Sequence, residues 1–129
     1  MSNWTHVAGV IRIDSLRGMM PKPNWDEIFG KELDYGEPEE AGVKYMPTGS
    51  EGSLSKMVYE NEDMSAAAAY VVVVVGDLRD HDDAQGIIDW FKDICMNHNL
   101  WIRQASITVR NDLTGTVNWS SGGVAVVDV

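Results

Sequence analysis

Five consecutive valines, Val71 to Val75, constrain the fold more than any other stretch of the chain. β-Branched side chains lose rotamer freedom in a helix and fit a pleated sheet, so Tyr70–Val75 is expected to be a strand. The run does not alternate: Tyr70, Val72 and Val74 would face one way, Val71, Val73 and Val75 the other, all of them apolar. A strand of this kind belongs in the middle of a sheet, with its second face covered by something else.

The pattern changes after Gly76. Ala84, Ile87, Ile88, Phe91, Ile94 and Cys95 recur at the spacing of one helical face. Asp82 and Gln85 have the separation of a capping box, which would start that helix at Asp82. The segment Gly76-Asp-Leu-Arg-Asp-His-Asp then reads as a polar loop between a strand end and a helix N-terminus, where α/β folds tend to place ligands. Acidic residues there need no ligand, because they complement the helix dipole. Arg79 and His81 are not explained that way and stand out as candidates, with Asp80 between them.

The rest of the chain gives enough elements for one α+β domain over residues 1–129. Trp4–Asp14 reads as a strand with Val7, Gly9, Ile11 and Ile13 toward a core; Trp4, His6 and Arg12 lie on its other face, which suits binding or self-association. Asn24 would cap a short helix through Phe29, ended by Gly30. An acidic loop covers about residues 32–42, and Leu54–Glu60 reads as a strand returning into the valines. Trp101–Arg110 alternates, with Trp101, Arg103, Ala105, Ile107 and Val109 assigned to one side. A hairpin turn at Asn111–Gly115 leads to a strand at Thr116–Trp119. A flexible tail is expected over about 120–129, with Val124–Val127 able to add an edge strand. Strand, helix, strand, strand, helix, strand is the split β-α-β order of a ferredoxin-like sandwich, here with an extra C-terminal strand. The uncovered apolar face of its sheet would be closed by loops or by a second subunit.

Composition narrows the function. A net charge of −10 repels nucleic-acid polymers, whose binding rests on neutralising phosphates, yet a local basic pocket for a small anion survives screening. The single cysteine, Cys95, can make no internal disulfide, which fits a reducing compartment. The run Ala66–Val75 is too short to span a bilayer, and the opening Met1–His6 has no secretory character, so a soluble intracellular protein is expected.

Gly49 and Gly52 around Ser50 and Glu51, followed by Ser53, allow a tight turn with exposed amides, a weak anion-nest signal that lacks the Lys-Ser/Thr of a P-loop. No nucleophile–base motif is present, and no catalytic residue or cofactor is assigned. Asp77, Asp80, His81 and Asp82 offer metal ligands in a short span, but nothing elsewhere completes a recognised pattern, so no metal is assigned. A binding module fits better: Arg79 grips phosphate, His81 donates near neutral pH, and Trp4, Tyr45 and Tyr59 are stacking candidates.

Three blocks, Asn3–Asp14, Met46–Leu54 and Gly76–Asp83, resemble in the same order a family of small proteins of tailed bacteriophages. The family is associated with sponges that bind cyclic nucleotide signals of bacterial immunity, as in anti-CBASS proteins. The resemblance implies immune evasion in the host bacterial cytoplasm by sequestration without turnover, in a homodimer or larger oligomer holding the ligand at a subunit interface. The alternatives are a small metal-dependent nucleotide hydrolase using the Asp77–Asp82 carboxylates, or a protein-binding inhibitor of a host enzyme. From the residue arguments alone, the expected ligand contacts are Arg79, His81, Asp80, Ser50, Glu51, Ser53, Trp4, His6, Arg12 and Tyr45, and no membrane partner is expected.

Overall fold

The computed structural model describes residues 2–14, 22–34, 36–61 and 69–121. The strand expected at Val124–Val127 lies outside them. The described chain is an α+β structure, ordered β1 (Trp4–Asp14), α1 (Trp25–Phe29), β2 (Ser55–Glu60), β3 (Tyr70–Arg79), α2 (Ala84–Asn97), β4 (Trp101–Asn111) and β5 (Gly115–Ser121). The strands make one antiparallel sheet in the order β2-β3-β1-β4-β5. No helix among the described residues is long and apolar enough to cross a membrane.

Residue parity decides which side of the sheet is core. Val7, Ile11 and Ile13 of β1, Val72, Val74 and Leu78 of β3, and Ala105, Ile107 and Val109 of β4 are all buried. They pack beneath Ile28 and Phe29 of α1 and Ile87, Ile88, Phe91 and Ile94 of α2. Gly9 lets α2 come close, since a Cβ there would lie 3.1 Å from the Phe91 ring. Trp25 meets Tyr70 edge-on at 5.2 Å, and Phe91 meets Trp119 at 5.9 Å. Cys95 borders this core half-buried, and burial pushes its thiol up to about 12. That keeps it protonated and unreactive.

Four sequence-based expectations need correction. β3 does not stop at Val75: Gly76, Asp77, Leu78 and Arg79 remain in the strand, paired with Val7, His6, Thr5 and Trp4. Leu78 continues the buried row of Val72 and Val74, and the strand partner holds extended a segment that locally resembles a turn. The helix is capped by Asp83, whose side chain accepts from the Gly86 amide at 2.8 Å, not by Asp82. Gln85 serves Asp89 at 3.0 Å instead of closing a capping box. β5 runs through Ser120 and Ser121, which pair with Ser106 and Ala105, so these residues are sheet and not a flexible break. In β4 a register shift opposite Arg12 and Ile13 turns Trp101 and Arg103 out of the core side, and half-buried Ile102 sits opposite Ile13.

The second face of the sheet has no layer over it among the described residues. Val75 is 37% exposed, Met57 61% and Tyr59 66%. β3 is flanked on both sides by strands, but no described element forms a layer over its odd-numbered valines, of which Val71 and Val73 are half-buried and Val75 is exposed.

Candidate functional site

That open face carries four of the ten candidate residues, Trp4, His6, Arg12 and Arg79. Directly paired residues in antiparallel strands share a face, so Trp4 with Arg79, His6 with Asp77, Ala8 with Val75, Val10 with Val73 and Arg12 with Val71 form rungs across β1 and β3. β4 adds Gln104 beside Arg12, Ser106 beside Val10, Thr108 beside Ala8 and Arg110 beside His6. β2 adds Tyr59 beside Val71 and Met57 beside Val73.

At one end of the face Arg79 and His6 are already paired with carboxylates, while Arg110 beside His6 has no ion-pair partner among the described residues. Arg79 Nη1 donates to Glu51 at 2.8 Å, and its Nε, 3.7 Å from the Asp80 carboxylate, is buried without a hydrogen-bond partner. The turn from Gly49 to Gly52 is fastened to the same strand: Ser50 N donates to Arg79 O at 2.8 Å, and Arg79 N to Glu51 O at 2.9 Å. Gly52 is required there, with φ of 82° and no room for a Cβ, which would lie 2.1 Å from Asp77 O. Asp80, at φ 55°, accepts from Asn3 N at 3.1 Å and Ser50 Oγ at 3.3 Å. The Asn3 amide, then Ser50 and Arg79, hold the Asp80 carboxyl below its usual range. His81 is tied in through its carbonyl, which accepts from Thr5 Oγ1 at 2.5 Å. The structure thus brings Ser50, Glu51, Asp80 and Arg79 together in a knot, bonded largely to one another, with Arg79 Nε and the neighbouring His81 Nδ1 buried without a hydrogen-bond partner among the described residues. Two of the nest amides are spent, Gly49 N on Gly52 O at 3.0 Å and Ser50 N on Arg79 O.

His6 lies beside this knot between two carboxylates, Nδ1 at 2.7 Å from Asp77 and Nε2 at 3.0 Å from Asp112. The hydrogen bond to Asp77, then that to Asp112, raises the His6 pKa. Tyr45 is elsewhere, bridged to Lys31 with its hydroxyl accepting from Glu40 N at 3.0 Å. Ser53 also faces inward, accepting from Leu33 N at 3.4 Å. Among the described residues no group of three or more His, Cys, Asp or Glu side chains could hold a metal ion.

The opposite end of the face differs. No carboxylate among the described residues pairs with the exposed Arg12, which lines a cavity of about 150 Å³ together with Val10, Gln104 and Ser106. Tyr59 lies on the same rung across Val71, and Trp101, 49% exposed, lies past Gln104 opposite Asp14. Arg103 is occupied by Asp14 at 2.9 Å. A free guanidinium, an amide, a hydroxyl and two exposed rings are the groups that recognise phosphate and base. The sequence singles out Arg12 and Tyr59 but not Gln104 and Ser106, whose only signal is their parity on a mostly polar strand face, nor Trp101, whose parity puts it on the opposite side until the register shift turns it out. Comparison with family models, curated proteins and solved structures returns no match in any of the three.

Proposed function

We propose that the chain is a non-catalytic binding protein that holds an anionic nucleotide of the cyclic dinucleotide class unaltered. In this reading it is a bacteriophage sponge for a bacterial immune signal, acting in the host cytoplasm as a homodimer or larger assembly. The observation that carries it is Arg12: a guanidinium without a carboxylate partner among the described residues, in a small polar cavity flanked by exposed Tyr59 and Trp101, on a chain of net charge −10. The cavity suits a phosphate group, and the rings beside it suit a base. For the fold, the order β2-β3-β1-β4 with helices after β1 and β3 supports a ferredoxin-like sandwich extended by β5.

The test is incubation of the full chain with a panel of cyclic mono-, di- and trinucleotides, calorimetry, and recovery of the nucleotide after denaturation. Binding with intact ligand recovered is the expected result. A linear product, or no binding across the panel, would overturn the reading.

A further inference from the structure

A cavity on the helix side of the sheet, away from Arg12, takes no part in the reading above. It lies between α1 and the free edge of β2, holds about 540 Å³ and is lined by Trp25, Asp26, Lys31, Glu32, Lys56 and Val58. That volume falls within the range of small-molecule sites, about 300–1,000 Å³. The fold fixes its walls. Trp25 packs edge-on against Tyr70 and lies 6.3 Å from the Phe29 ring. Lys56, its side chain 8% exposed, is held by Asp26 at 2.7 Å and by the Gly30 carbonyl at 2.9 Å. Two opposite charges remain. Lys31 has no ion-pair partner among the described residues, and Glu32 spends one oxygen on the Lys56 amide at 2.8 Å and keeps the other. Because Lys56 N points off the sheet edge to Glu32, alternation turns the Val58 N–H and C=O off the same edge.

We infer that this cavity is a site for a free α-amino acid with an apolar side chain. Its lining offers what such a zwitterion needs: Lys31 for the carboxylate, Glu32 for the ammonium, and the outward Val58 amide and carbonyl for hydrogen bonds to either. The Trp25 ring and the Val58 side chain supply the apolar wall. Charge selects the ligand class. Asp26 and Lys56 are closed on each other, so the free groups are one of each sign. A simple anion, a nucleotide included, would meet two carboxylates there, and a simple cation would meet two ammonium groups; a molecule carrying both charges answers both. The inference is independent of the nucleotide reading, because the two cavities share no lining residue.

Calorimetry of the full chain with the common L-amino acids, each at millimolar concentration, tests it. Leucine, methionine and phenylalanine should bind, and aspartate and lysine should not. N-acetylation or C-terminal amidation of the best binder should each weaken binding roughly tenfold or more, since each removes one charge. In the protein, Lys31→Met and Glu32→Gln, both at exposed positions, should do the same with unchanged circular dichroism; the glutamine keeps an acceptor for the Lys56 amide. Arg12→Ala should leave amino-acid affinity unchanged. Absence of binding by every amino acid overturns the inference, as does equal binding of the blocked forms, which would make the cavity an apolar cleft only. Affinity unchanged in both Lys31→Met and Glu32→Gln, or lost in Arg12→Ala, would place the ligand elsewhere and overturn it too.

Discussion

The same side chain meets two environments within one strand. Val72 and Val74 are fully buried beneath the helices, whereas Val71 and Val73 are half-buried and Val75 is exposed. Nothing but parity separates them. The two faces therefore divide the work: one closes the core, and the other leaves apolar surface and Arg12 available. The open face is itself divided, because Arg79 at one end is neutralised by Glu51 while Arg12 at the other end has no such partner among the described residues. An arginine is a ligand candidate when the fold leaves it unpaired, whatever its sequence neighbours suggest.

The largest effect should come from the covered face. Phe91, fully buried against Gly9 and Trp119, should cost about 3–5 kcal/mol on truncation to Ala. Val73→Ala on the open face should cost under about 1 kcal/mol in the monomer, because little of its environment is lost. Denaturant unfolding at a concentration where the chain is monomeric compares them. Equal losses would mean that the second face is covered after all.

The next effect separates the two arginines by function. Arg12→Ala should weaken nucleotide binding roughly ten- to a hundredfold, the loss of a charge-assisted contact of about 1.5–3 kcal/mol. Arg12→Lys should recover only part of it, since an ammonium lacks the planar fork. Arg79→Ala should leave affinity near that of the unmodified chain and lower the thermal midpoint, because its contacts hold the turn to β3. Calorimetry with the bound member of the panel reads both, and the reverse ranking would return the site to the Arg79 end.

Strong periodic signals were legible in the sequence: the valine strand, the buried row of β1 and the face of α2. What was hidden depended on partners distant along the chain. Gly76, Asp77 and Arg79 carry turn chemistry, yet pairing with Trp4–Val7 keeps them extended. The Arg79–Glu51 pair joins residues from two separate loops of the sequence reading, so neither could be seen as spent. In β4 the register shift inverted the side assigned to Trp101 and Arg103, which local alternation cannot foretell. The choice between Asp82 and Asp83 as cap was equally open, since both are good capping residues one position apart. Asp83→Ala should therefore cost about 1 kcal/mol, and Asp82→Ala at an exposed position much less. Thermal melts of the two variants check this, and a larger loss at Asp82 would move the helix start.

The smallest effect concerns His6, the charged group nearest the junction of the two halves of the open face. Its ring bridges Asp77 on β3 and Asp112 just beyond β4, and Arg110 pairs with it in register from β4. Both carboxylates favour the imidazolium, the Asp77 hydrogen bond most, so the folded pKa stands above the unfolded one. A raised folded pKa stabilises the fold fully below the unfolded value and loses that contribution as pH rises through the folded value. At 43% exposure the side chain is well screened, and Arg110 opposes the charge, so the contribution is small. Between about pH 6 and 8 the thermal midpoint should fall slightly with rising pH, and His6→Gln should flatten that part of the profile. The difference between the two profiles isolates His6 from other titrating groups. A midpoint that rises over this range for the unmodified chain, and falls for His6→Gln, would show that the neutral ring is the form the fold prefers.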